Sequence, residues 1–165
     1  MARGGNLINR GASAPHPLLE RTTPMTQFSL PEDAKRGGHC GVQAVAIASQ
    51  KLLEETKQIF KANCSRIKKQ RSWVGGTLHH ERVKVLKHLG VKFKEVKPSY
   101  TKGVTLQRFV KDIANPKATY IVTTTHHVQL VKGSDILDQR GVSNVSDFWG
   151  SRKRISKPVL QIIGD

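Results

Sequence analysis

Apolar residues recur at helical spacing through the first half of the chain and at strand spacing through the second. Val42, Val45, Ala46 and Ile47, with alanines around them, predict a buried helix from Cys40 to about Leu53. Ile59, Phe60 and Cys64 form the inner stripe of a second helix, Glu54 to Ile67, which makes Cys64 a small core residue. The WVGGT stretch at 73–77 is a turn. Its Thr77 can cap a third helix, Leu78 to His88, with Leu78, Val83, Leu86 and Leu89 inward and Gly90 closing it. Val91 to Val96 alternates apolar and charged residues as a half-buried strand does. Leu106, Phe109, Val110 and Ile113 mark a short helix that ends before Asn115-Pro116.

Beyond Pro116 the period changes. Ala118–Thr124, His127–Lys132 and Asp135–Asp138 read as strands, the last two joined by a tight turn at Gly133-Ser134, and Val159–Ile163 supplies a late strand. Helices followed by an antiparallel sheet predict an α+β domain. Residues 1–30 mix Gly, Pro, Ser, Thr and Arg without periodicity and read as a flexible basic arm, leaving 31–165 for the domain.

Length and charge narrow the picture. A chain of 165 residues has room for one ordinary core. The 28 Lys and Arg residues against 12 Asp and Glu give a net charge of +16, with clusters at 66–71, 82–97 and 152–154. Such a field favours non-specific binding of nucleic acid or another polyanion. The interleaved aromatics of a single-strand stacking platform are missing. No run of apolar residues is long enough to span a bilayer and the N-terminus lacks a secretory h-region, which predicts a cytoplasmic protein. Two cysteines are too few for a disulfide framework, so a thiol stays available for chemistry.

Cys40 has the setting of a nucleophile. It follows Gly37-Gly38-His39 and opens a helix, and a helix N-terminus lowers a thiol pKa. The flanking glycines, Gly41 included, would let a substrate carbonyl approach the sulfur. A base must come from elsewhere. In a tight 132–135 hairpin, Gln129 falls opposite Asp138, and His127, two residues along the same face, is a diagonal neighbour of that carboxylate. His127 is therefore the candidate base, Asp138 the group that orients it, and His126 points to the other face.

These residues resemble a known family. GHCGVQAV at 38–45, the buried helix behind it, and HVQLV at 127–131 before a hairpin ending in Leu137-Asp138 look like the papain-like cysteine peptidase superfamily, most nearly the bacteriocin-processing (C39-like) peptidases. The helix that ends in Leu89-Gly90 fits the same pattern, and Trp73-Val-Gly75 keeps an OTU-like branch open. The resemblance implies a papain-like fold and cleavage of a peptide or isopeptide bond in a protein or peptide substrate, through Cys40, His127 and Asp138, without a cofactor. One element departs from the pattern: no Gln stands a few residues before the cysteine to donate to the oxyanion. The backbone N–H of Cys40 is one candidate donor, with His39, Lys35 or Gln27 for the other.

Two other readings compete. Zinc would need a Cys-x-x-Cys or a His-Glu-x-x-His, and Lys84 stands where the second histidine of His80-Glu81 would fall, so no metal site is expected and His79, His80 and His88 read as surface residues. A weak or inactive papain-like module that binds nucleic acid or an acidic partner through its basic surface is the alternative to an enzyme. An arm without periodicity makes its own prediction: deleting residues 1–26 should leave the melting temperature nearly unchanged, and a loss of several degrees would show that it packs on the domain.

Overall fold

The computed structural model describes residues Phe28–Gly164. The arm expected over 1–30 therefore lies almost wholly outside the described residues, as does Gln27. At its inner end, Phe28 and Leu30 already pack on the core.

Helices α1 (Cys40–Ser49), α2 (Leu53–Asn63), α3 (Ser65–Lys68) and α4 (His79–His88) come first. Strand β1 (Phe93–Glu95), the short helices α5 (Pro98–Thr101) and α6 (Leu106–Arg108), and a π-helical turn over Phe109–Ile113 follow. The remaining strands are β2 (Thr119–Thr124), β3 (His127–Lys132), β4 (Asp135–Asp138), β5 (Gly141–Asn144) and β6 (Leu160–Ile162). All pairings are antiparallel, in the order β1-β6-β2-β3-β4-β5, which makes the domain α+β.

The central strands β2, β3 and β4 are buried on both faces. Ile121, Leu130 and Leu137, partners across β2, β3 and β4, join α1, α2 and α4 in one core. Tyr120, Val131 and Ile136, the next row of partners, face a second core with Leu106, Phe109, Val145, Phe148 and Val159. Alternate side chains enter opposite cores, so β2 and β3 are buried at almost every position rather than at alternate ones.

Several boundaries differ from the sequence reading. Helix α1 stops at Ser49, because Gln50 turns left-handed (φ 55°) and its N–H and that of Lys51 cap the carbonyls of Ile47 and Ala46. The second helix breaks at Cys64, whose backbone is extended, and α3 restarts behind it; Cys64 itself is buried. Thr77 does not cap α4. Leu78 holds that position, and Glu81 reaches back to accept its N–H at 2.8 Å. Helix α4 presents Leu86 to the core with Val83 and Leu89 packed against it, as expected, but its buried face also takes in Glu81, Arg82 and Val85, whereas Leu78 is exposed. Inward charges are tolerated because they are bonded; Arg66 grips Glu81 with two bonds of 2.8 and 2.7 Å. The expected strand at 91–96 shrinks to three residues at the sheet edge, and β5 and α5 were not foreseen.

One long-range cap ties the start of the folded chain to the helices. Both carboxylate oxygens of Asp33 accept N–H groups from the first turn of α2, Leu53 at 2.6 Å and Glu54 at 2.8 Å. Asp33→Ala should cost about 0.5–2 kcal/mol of stability in urea unfolding, and Asp33→Asn should recover part of the loss.

Candidate active site

The first turn of α1 is seated at the end of β3. Cys40 is its first residue, so the leading N–H groups of the helix lie beside the sulfur without intrahelical acceptors. Loop 74–77 packs closely against this turn, and the glycines make that contact. A Cβ on Gly41 would lie 2.0 Å from Thr77 Oγ1, one on Gly75 2.0 Å from His39 Nδ1, and one on Gly38 2.9 Å from the Val74 carbonyl. Gly38 and Gly41 thus make room for a protein loop, where the sequence reading reserved that room for substrate. Gly37 needs its freedom for another reason, a φ of 92°.

Three residues far apart in sequence meet here. His127 Nε2 lies 3.0 Å from Asp138 Oδ2, with both side chains almost wholly buried. Asp138 also accepts the Arg140 N–H at 2.8 Å, and the Trp149 side chain favours its ionised form. The Cys40 thiol lies beside His127 and the Val128 N–H at the wall of one cleft, and both favour its ionised form. Since Asp138 takes Nε2, Nδ1 is the ring nitrogen left for the sulfur. The hairpin register that links His127 to Asp138 is the one the sequence implied, with Lys132 opposite Asp135 and Leu130 opposite Leu137. His126, however, is not on the strand. It occupies the turn between β2 and β3 at φ 59° and is exposed.

Electrostatics separates the two thiols. Burial would raise the pKa of Cys40, but the bond and charge of His127, the Val128 N–H and the charge of Arg82 together outweigh it and bring it below the ordinary value. Burial, reinforced by Glu81, pushes Cys64 up. Desolvation pulls His127 down, yet its bonds to Asp138 and Cys40 and their charges raise it to about 9. Burial works to raise Asp138, and the His127 bond, the Arg140 N–H and Trp149 hold it below the usual carboxylate range. The set favours thiolate, imidazolium and carboxylate together.

An open cleft of about 530 Å³ runs past the sulfur, lined by Cys40, Thr77, His79, Arg82, His127 and Lys157 among others. Among the oxyanion candidates, the Cys40 N–H is in place. The His39 side chain is turned onto Gly75 and lines no part of the cleft, because the missing side chain of Gly75 leaves the imidazole room. Lys35 is exposed outside the cleft, and Gln27 is beyond the described residues. His79 is not a plain surface residue: it lines the cleft with its Nε2 buried.

Two neighbours were missed. Arg82, read as part of a basic cluster, is 3% exposed in the cleft wall. Trp149 lies 5.1 Å from the His127 ring, covering the imidazole–carboxylate bond, while Lys153 and Arg140 stack on it at 4.1 and 5.1 Å. The sequence signal for it was a Phe148-Trp149 pair in a loop without periodicity. Among the described residues no group of three or more His, Cys, Asp or Glu is placed to hold a metal, and no helix is long and apolar enough to cross a membrane. Comparison with protein-family models, with characterised proteins and with solved structures returns no match.

The raised His127 pKa fixes a sign. Its imidazolium contributes stability in full below the ordinary value of 6.5, and that contribution is lost as pH rises through about 9. Asp138→Asn should therefore move the NMR titration of His127 downward and flatten this alkaline loss of stability, and Trp149→Phe should produce a smaller shift in the same direction. An unmoved titration in Asp138→Asn would show that the carboxylate does not hold the imidazole charged.

Proposed function

We propose that the chain is a papain-like cysteine peptidase that cleaves a peptide or isopeptide bond. The observation that carries this reading is the juxtaposition of the Cys40 thiol with His127, whose Nε2 lies 3.0 Å from Asp138, at the wall of an open cleft. A buried helix that starts at the nucleophile and packs on an antiparallel sheet bearing the histidine and acid is the arrangement expected of that superfamily, so the fold and the residue pattern support one another. The likeness to C39-like peptidases rests on the residues alone.

The chemistry follows from the bonds. The Cys40 thiolate attacks the substrate carbonyl carbon, and the π pair moves to oxygen. As the tetrahedral intermediate collapses, His127 gives its proton to the departing amine, leaving a thioester. The neutral imidazole then takes a proton from water as its oxygen attacks the thioester carbon, and collapse of this second tetrahedral intermediate breaks the C–S bond, releases the carboxylic acid and restores the thiolate–imidazolium pair. Asp138 keeps the ring oriented and supports its positive charge throughout.

Thiol labelling tests the reading. Iodoacetamide should modify Cys40 well below pH 8 and about 10- to 100-fold faster than Cys64, and His127→Ala should abolish the preference. Equal, slow labelling of both cysteines would sink the peptidase reading. It would favour a binding module in its place, one whose polyanion affinity falls steeply with salt and survives Cys40→Ala.

A further inference from the structure

We propose that Arg82 supplies the positive charge at the reaction centre: from the cleft wall beside the first turn of α1, its guanidinium stabilises the Cys40 thiolate before attack and the substrate oxyanion after it. This rests on the peptidase reading and fills the gap left by the missing upstream Gln.

Arg82 is an unusual cation for this protein. It is 3% exposed, and burying a charge is costly unless something compensates it. The adjacent carboxylate does not serve: both oxygens of Glu81 are gripped by Arg66, and one also accepts the Leu78 N–H. The bonds Arg82 makes are all to neutral oxygens, the Thr77 carbonyl at 3.0 Å, Thr77 Oγ1 at 3.1 Å and Thr123 Oγ1 at 2.9 Å. Its buried Nε finds no acceptor among the described residues. These bonds fix the guanidinium plane without neutralising it.

The surroundings place that charge where it would act. A Cβ on Gly41, the residue after the nucleophile, would lie 3.3 Å from Arg82 Cδ, so the arginine stem lies directly on the turn that carries the sulfur. Among the described residues, no Asp or Glu lines the cleft. Burial lowers the Arg82 pKa to about 10, against the opposing pull of Cys40 and Glu81, which leaves it protonated at neutral pH and coupled to the thiolate.

The charge has a partner at each step. When the sulfur lone pair forms the S–C bond, the carbonyl π pair becomes an oxyanion, and the negative charge moves from sulfur to oxygen without leaving the field of the guanidinium. Collapse returns that pair to the C=O bond and expels the amine with the His127 proton. The Cys40 N–H is one donor to this oxygen and Arg82 the second. A donor of this kind is worth about 100- to 1,000-fold in turnover elsewhere.

Alkylation with a neutral and an anionic reagent tests the inference on the full chain, in concentrated salt that screens surface charge. Iodoacetate carries its carboxylate on the attacked carbon and stands in for the oxyanion; iodoacetamide is its neutral counterpart. Wild-type Cys40 should favour iodoacetate relative to free cysteine. Arg82→Met should lower that ratio about tenfold and move the midpoint of the pH–rate curve up by about one unit. Arg82→Lys should recover much of both. If Arg82→Met fails to fold, the wild-type ratio and Arg82→Lys still decide: no preference for iodoacetate at wild-type Cys40 overturns the inference. A reactive Cys40 whose midpoint and reagent ratio are unmoved in a folded Arg82→Met overturns it alone, with the peptidase reading intact. A Cys40 no more reactive than Cys64 overturns both.

Discussion

A buried imidazole and a buried carboxylate held 3.0 Å apart across the β3–β4 hairpin are the constraint on which the rest of this structure turns. Two side chains of that polarity can lie inside the domain only if each satisfies the other and their remaining groups find partners. The carboxylate finds the Arg140 N–H and Trp149; the imidazole finds Cys40. Register, helix placement and the packing of a distant loop are thus fixed by the same few polar atoms. A one-residue slip of β4 would send Asp138 to the opposite face and leave His127 buried without it.

Helix α1 depends on this arrangement from the other side. Its residues are almost all buried and carry no acidic side chain in the first turn, so nothing from its own sequence compensates the positive end of the helix. The sulfur at its first position does so when ionised. Loop 74–77 can approach that turn only because Gly38, Gly41 and Gly75 lack side chains, and the same approach brings Thr77 and Arg82 to the cleft. Close packing and site electrostatics come from one contact.

This division explains what could be read from sequence. The β3–β4 hairpin was legible because a two-residue turn fixes register, and register fixes which side chains meet; His127 and Asp138 follow from counting. The buried stripe of α1 and the strands β2 to β4 were legible because apolar runs of that density have nowhere to go but inside. The charged part of the inner face of α4 was not. Periodicity counts apolar residues, whereas this helix buries Glu81 and Arg82 because Arg66, Thr77 and Thr123 lie ready to bond them, and those partners are 15, 5 and 41 residues away. Trp149 was hidden for the same reason, since its role depends on where a loop without pattern comes to rest.

Trp149 follows Phe148 in the chain, and Phe148 belongs to the second core on the face of the sheet opposite α1. Gly150 closes against that phenyl ring, where a Cβ would lie 2.8 Å from it. The shield over the imidazole–carboxylate bond is therefore anchored by apolar packing rather than by a hinge. Loosening of the second core would move Trp149 away from the imidazole, so packing behind the sheet bears on the surroundings of the site in front of it.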